Sequence, residues 1–155
     1  MTQITTELQK QKEIAMIAKE DLYIMDIGEF THDLYRMGNA TWPKFDEDRA
    51  RVDVVIKKVD GIEKVIANGN GFSAYDHLTK IMQKPGKKVW RIKKNAIIPK
   101  ELRVVKDMRE GHEGHYMLAP AEDMTLKKYL GVLEELGLDR SKVVKLTVQE
   151  IANAG

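Results

Sequence analysis

The sequence predicts an α+β fold, on three observations. Helix-forming segments stand near both ends of the chain, short strand candidates broken by turn residues fill the middle, and the clearest strand pair is joined by Asp60-Gly61, a hairpin turn. At 155 residues the chain suits one ordinary domain and is too short for two with separate cores. The reading is therefore a single domain over residues 1–155, with residues 1–30 as an N-terminal helical extension.

Residues 5–20, TTELQKQKEIAMIAKE, are rich in helix formers, and Leu8, Ile14, Ile17 and Ala18 offer a partial apolar stripe for a surface helix. Next, DLYRM puts Leu34, Tyr35 and Arg36 in a short strand, and GNATWPKFDED reads as a loop because of Gly38, Asn39 and Pro43. In VDVVIKKVDGIEKVIAN two β-rich arms flank Asp60-Gly61, which tolerates the positive φ angles of a type I′ turn. A two-residue turn there pairs Val59 with Ile62, Lys58 with Glu63, Ile56 with Val65 and, at modest cost, Lys57 with Lys64.

SAYDHLTKIMQ reads as a short helix with Ser73 at its cap. KKVWRI, LRVVKDM and HYMLAP are three further strands. EDMTLKKYLGVLEELG is a helix with Leu126, Leu130 and Leu133 on one face and Gly137 in the stop position. Thr147 to Glu150, TVQE, matches a capping box and opens a short terminal helix.

Hydrophobic residues make up 43% and charged residues 32% of the chain, a composition that favours a globular protein, and no apolar run reaches bilayer length. The N-terminus shows no secretory leader, so the expected place of action is a cytoplasm. With no cysteine, thiolate nucleophiles, disulfides and cysteine-ligated zinc are excluded together. A net charge of +2 is too small to argue for nucleic-acid binding.

The stretch IANGNGFSAYDHL resembles a glycine-rich phosphate loop entering a helix. Its glycines, however, follow the return arm of an antiparallel hairpin, whereas a nucleotide cradle of that kind needs a parallel βαβ frame. Attention shifts to the side chains: Arg36 in LYRM, Ser73 and Tyr75 in GFSAYD, Lys106-Asp107 in VVKD, and His115-Tyr116 in GHYMLAP. Read singly, each has an ordinary structural use, as an ion pair, a helix cap, or one packed and one solvated strand position.

In this order, from LYRM through GNGFSAYD to IIPKELRVVKD and GHYMLAPAEDM, the residues resemble the ADP-ribosyltransferase-like type VI secretion effector toxins of the Tse-two family. The resemblance implies a split, strongly bent antiparallel β-sheet with flanking helices and a cleft for NAD, the substrate. It implies that Arg36 contacts the dinucleotide, that Ser73 supports the site geometry, and that His115 or Tyr116 faces the same cleft. Breaking the nicotinamide–ribose bond passes through an oxocarbenium-like state, which asks for a pyrophosphate anchor, a held sugar and a stabilised positive charge. Arginine supplies bidentate donors for the anchor, and Phe72, Tyr75 or Tyr116 offer a ring to stack on nicotinamide. No ExE or QxE stands on a final strand, so Asp107 is the first choice of carboxylate, ahead of Glu110, Glu113 and Glu122. Transfer of ADP-ribose to a macromolecular acceptor and hydrolysis of NAD both stay open. The implied protein partner is a cognate immunity or antitoxin protein, and no membrane partner is expected.

Two other readings compete. His77, His112 and His115 with Lys93, Lys94 or Lys106 could form a metal-independent ribonuclease site. Alternatively KPGKKVWRIKK, with Lys84, Lys87, Lys88, Arg91, Lys93 and Lys94 around Trp90, could be a non-catalytic strip for nucleic acid, against the plainer reading of a lysine-protected strand with Trp90 in the core. HEGH lacks an obvious third metal ligand and is read as a turn, with no metal expected.

Overall fold

A computed structural model describes residues 24–26 and 31–154, so the helix expected over 5–20 lies outside the described residues. Two antiparallel sheets and three helices make up this part of the chain, an α+β arrangement consistent with an ADP-ribosyltransferase-like core. In chain order the elements are β1 (Ile24–Asp26), β2 (Leu34–Gly38), α1 (Glu47–Asp53), β3 (Ile56–Val59), β4 (Ile62–Val65), β5 (Phe72–Tyr75), β6 (Lys88–Ile92), β7 (Leu102–Asp107), β8 (His115–Pro120), β9 (Met124–Thr125), α2 (Leu126–Leu138), β10 (Val143–Lys145) and α3 (Val148–Ala154). The larger sheet has the order β1-β7-β8-β5-β2-β6-β10, and the smaller β3-β4-β9.

The hairpin has the register its turn demands. Val59 pairs with Ile62, Lys58 with Glu63, Lys57 with Lys64 and Ile56 with Val65, and Asp60 and Gly61 take φ angles of 51° and 79°. Its first arm begins at Ile56, because the preceding residues close α1. That helix is capped by Asp46, whose side chain accepts from the Arg49 backbone N–H, and braced by Arg49 on Asp53 at 2.9 Å. Only Ala50 of α1 is buried. A helix with one core residue has almost no apolar stripe to read, and its segment passed for a loop and the start of a strand.

The segment expected to be a helix at SAYDHLTKIMQ is a correction. Phe72–Tyr75 is strand β5, and turns follow it. Its four residues alternate inward and outward, with Phe72 and Ala74 buried, which is the strand period. Ser73 therefore caps no helix. Gly137 likewise is no stop: it lies inside α2, where a Cβ would press on Pro43 and Phe45, and the helix runs to Leu138 with Asp139 as its C-cap. Thr125 caps the start of α2, and Thr147 and Glu150 exchange the two bonds of a capping box at α3 (3.0 and 3.1 Å).

The main core lies between one face of the larger sheet and α2. Leu126, Tyr129, Leu133 and Leu136 of the helix meet Leu34, Phe72, Trp90, Ile92, Val104 and Leu118 of the sheet. Tyr129 donates to the Leu118 carbonyl at 2.6 Å and stacks on Phe72. Strand β8 is buried along its whole length, as a central strand covered on both faces must be. Gly71 lets β5 lie close against it, because a Cβ there would strike the backbone of Leu118 and Ala119. Gly71→Ala is expected to cost about 1–3 kcal/mol, read as a lower urea midpoint at unchanged m-value.

Candidate functional site

The site begins where the larger sheet forks. Strand β2 pairs with β6 along five residues, but with β5 at one position, Tyr35 with Tyr75. Past that bridge the strands separate, and the Arg36 side chain fills the gap. Its Nε donates to the Pro43 carbonyl at 2.9 Å, Nη1 to the Ser73 carbonyl at 2.8 Å and Nη2 to the Lys44 carbonyl at 3.1 Å. The guanidinium lies against the rings of Phe45 and Phe72, 5.0 and 4.9 Å from their centroids. Residue 36 is only 6% exposed. Burial pulls its pKa down to about 10, with Asp53 acting in the opposite sense, and it stays charged at neutral pH.

Turning two successive carbonyls toward one guanidinium has a conformational consequence. Lys44, between Pro43 and Phe45, takes a φ of 61°, in the left-handed region that lysine rarely visits. The fork is thus held open by a buried cation gripped by three strand and loop carbonyls.

A cleft of about 580 Å³ opens at this fork. Arg36, Lys44, Arg49, Lys87 and Lys88 line it against two carboxylates, Asp46 and Asp48, and Ser73 and Tyr75 form part of its wall. The excess of cations suits an anionic ligand, and the volume falls within the range of small-molecule sites.

On β5, the Ser73 hydroxyl and the Phe72 ring leave opposite faces of the sheet. Ser73 Oγ lies 2.8 Å from Nε2 of His115 on β8, and Nδ1 of His115 lies 2.8 Å from Oδ2 of Asp107 at the end of β7. Three adjacent strands in the order β7-β8-β5 thereby line up a carboxylate, an imidazole and a hydroxyl. With the ring proton on Nδ1, His115 donates to Asp107 and accepts from Ser73.

Asp107 is 2% exposed. Burial alone would raise its pKa, but hydrogen bonds from Arg109 and His115 outweigh that and hold the carboxyl well below the ordinary carboxylate range. Arg109 makes a fork on it, Nε to Oδ1 at 2.9 Å and Nη2 to Oδ2 at 2.6 Å.

The residues expected from sequence divide accordingly. Ser73, His115 and Asp107 come together in one chain of hydrogen bonds. Arg36 touches Ser73 through its backbone and reaches the same cleft. Tyr75 lines the cleft and lies tilted against the His115 ring, centroids 5.1 Å apart. Phe72 is fully buried between Phe45 and Tyr129, so its ring belongs to the core and not to the cleft wall. Tyr116, next to His115, turns to the core face, where burial and then Asp76 raise its pKa. Glu110, Glu113 and Glu122 are exposed.

His77 pairs with Asp76 at 2.9 Å. Trp90 is 3% exposed, donates to the Asn39 carbonyl and carries Arg140 over its ring, so it offers no face for a base. Sequence reasoning passed over Lys44, Asp46, Asp48, Arg49 and Arg109. The single available signal was Asp46 three residues before Arg49, a helix cap in a stretch without an apolar period.

Comparison with protein-family models matches residues 32–143 to the Tse2 ADP-ribosyltransferase toxin family. No curated protein and no solved structure matches the chain. The matched span includes the fork, the cleft and the Ser73–His115–Asp107 array.

Proposed function

The chain belongs to the Tse2 ADP-ribosyltransferase toxin family, and from that premise we propose that it cleaves the nicotinamide–ribose bond of NAD. The observation that carries the reading is the Ser73–His115–Asp107 hydrogen-bonded array beside a cation-lined cleft.

The dinucleotide enters the fork between β2 and β5. Three of Arg36's N–H groups hold backbone carbonyls, and a guanidinium has five, so each terminal nitrogen keeps one donor for the ligand. Lys44, Arg49, Lys87 and Lys88 favour the pyrophosphate. Tyr75 supplies the ring against nicotinamide.

When the C1′–N bond breaks, its electron pair leaves with nicotinamide, and an oxygen or nitrogen of the nucleophile bonds to C1′. The nucleophile's proton must then be taken up. The Ser73 hydroxyl receives it while passing its own proton to Nε2 of His115, and ionised Asp107 stabilises the imidazolium. Water as nucleophile makes the reaction a hydrolysis, and a macromolecular side chain makes it a transfer. Its place of action is the cytoplasm of a producing or recipient cell, and a cell that makes such an enzyme restrains it with a cognate immunity or antitoxin protein.

The test is incubation of the purified chain with NAD, with and without cell lysate, following nicotinamide release. Release with labelling of lysate protein supports transfer, and release without labelling supports hydrolysis. No release, together with cleavage of added RNA, rejects the reading in favour of a ribonuclease.

A further inference from the structure

His112 takes no part in the proposed reaction, yet its ring meets the same carboxylate oxygen that holds His115. Three side chains converge on Oδ2 of Asp107: Arg109 through Nη2 at 2.6 Å and Nε at 3.2 Å, His115 through Nδ1 at 2.8 Å and His112 through Nδ1 at 3.3 Å. One carboxylate oxygen has about two lone pairs, so these contacts cannot all be well-made hydrogen bonds. Two of the three, unlike the arginine, have a lone pair of their own to offer whenever the ring proton sits on Nε2.

We propose that Asp107, His112 and His115 form a site for a divalent cation of the zinc class, and that the bound ion switches off the Ser73 relay. One donor atom from each of the three residues lies within 4.8 Å of the others. Two imidazoles and a carboxylate with one open position are a common zinc ligand set. Bonds of about 2.0–2.1 Å in a tetrahedron set neighbouring ligand atoms roughly 3.3 Å apart. His112 already stands at 3.3 Å from Oδ2, and His115, at 2.8 Å, has to open by about half an ångström.

The surroundings also suit an ion. The Asp107 and His115 side chains are 1% and 10% exposed and form a dry wall, while His112, at 45%, leaves the fourth position open to water. Backbone bonds from His112 N–H to the Arg109 carbonyl and from His115 N–H to the His112 carbonyl, both 3.1 Å, fix the turn that sets the ligand spacing. Arg109 has to withdraw its Nη2, which stands 2.6 Å from Oδ2 and 3.5 Å from Nδ1 of His112, so the ion displaces this end of the guanidinium while Nε and the backbone N–H keep Oδ1 at 2.9 and 3.1 Å.

The switch follows from the two nitrogens of one ring. Without an ion, His115 carries its proton on Nδ1 and accepts from Ser73 at Nε2. With an ion on Nδ1, the proton resides on Nε2, so the ring donates to Ser73 Oγ and has no lone pair left for the serine proton. The hydroxyl then cannot hand on the nucleophile's proton. Binding of the ion is independent of any reaction, whereas the inhibition rests on the NAD-cleavage reading.

The experiment titrates Zn²⁺ alone into the purified full chain by calorimetry, beside His112→Gln, with the urea midpoints compared to show that both are folded. NAD turnover is measured on the same two proteins after chelation and again after Zn²⁺ is added. The wild type is expected to take one ion per chain, with binding weakened by about 100-fold or more in His112→Gln, since losing even a partner that orients a ligand costs about 10–100-fold. Wild-type turnover is expected to fall as the site fills and to return with chelator, while His112→Gln turns over NAD at the wild-type rate and ignores the ion at that concentration. Equal binding by the two proteins, or none by the wild type, overturns the site. Selective binding with unchanged turnover overturns the switch and leaves the site standing. Absence of turnover under every condition overturns the NAD reading and the switch together, and the calorimetry still decides the site.

Discussion

Arg36→Ala is expected to lower the stability of the domain by about 2–4 kcal/mol, a large share of the ~5–15 kcal/mol that such domains possess. The substitution leaves the carbonyls of Pro43, Ser73 and Lys44 without their donor at the fork. The Pro43 acceptor is buried and costs about 1–3 kcal/mol when unpaired, the part-buried Ser73 and Lys44 acceptors cost less because water from the cleft reaches them, and relief from burying a cation offsets part of the sum. Loss of contact with the Phe45 and Phe72 rings acts in the same destabilising direction. Arg36→Lys keeps the charge, but a point ammonium cannot reach three carbonyls in a planar fan, so it should recover only a minor part. Urea unfolding followed by far-UV circular dichroism measures both variants. An unchanged midpoint for Arg36→Ala, with NAD cleavage lost, would assign the arginine to the substrate alone.

That result bears on how a family arginine is read from sequence. A contact to the dinucleotide is what the resemblance suggests for residue 36, and on that basis its removal should spare the fold. The geometry adds a structural role, since the same guanidinium props open the cleft it lines. No sequence pattern displays this, because its acceptors are backbone carbonyls of residues 43, 44 and 73, which any side chain provides.

Other parts of the fold were legible for physical reasons. Asp60-Gly61 dictates its turn, and the turn dictates the hairpin register. KKVWRI, LRVVKDM and HYMLAP carry enough β-branched, aromatic and aliphatic side chains to read as strands. The helix expected at SAYDHLTKIMQ failed because a serine after glycines suits a cap, while the deciding term was the long-range pairing of β5 with β8, Phe72 against Leu118 and Tyr75 against His115. The same pairing explains the site. Ser73, Asp107 and His115 could each be singled out, but their linear order says nothing of β8 lying between β7 and β5. HEGH looked short of a third ligand for the same reason, as Asp107 approaches it across the turn from a neighbouring strand end.

Ser73→Ala and His115→Asn are each expected to slow NAD cleavage by about 10²–10⁴-fold. The double variant should be little slower than the worse single one. Two residues that pass one proton along one path act as a unit, so the second removal finds nothing left to disable. If instead Ser73 merely held the sugar and His115 merely packed beside Tyr75, the two losses would multiply. The fold should withstand the serine change, because the Arg36 bond goes to the Ser73 backbone carbonyl, which alanine keeps. His115→Asn is the more disruptive of the pair, since it removes a ring that is 8% exposed and a donor to buried Asp107, although Arg109 continues to neutralise that carboxylate. Comparing urea midpoints with turnover separates these effects: a rate loss in Ser73→Ala at unchanged stability belongs to the chemistry. Multiplicative losses in the double variant, at matched folded fractions, would break the proton path and leave Ser73 and His115 as independent contributors to the site.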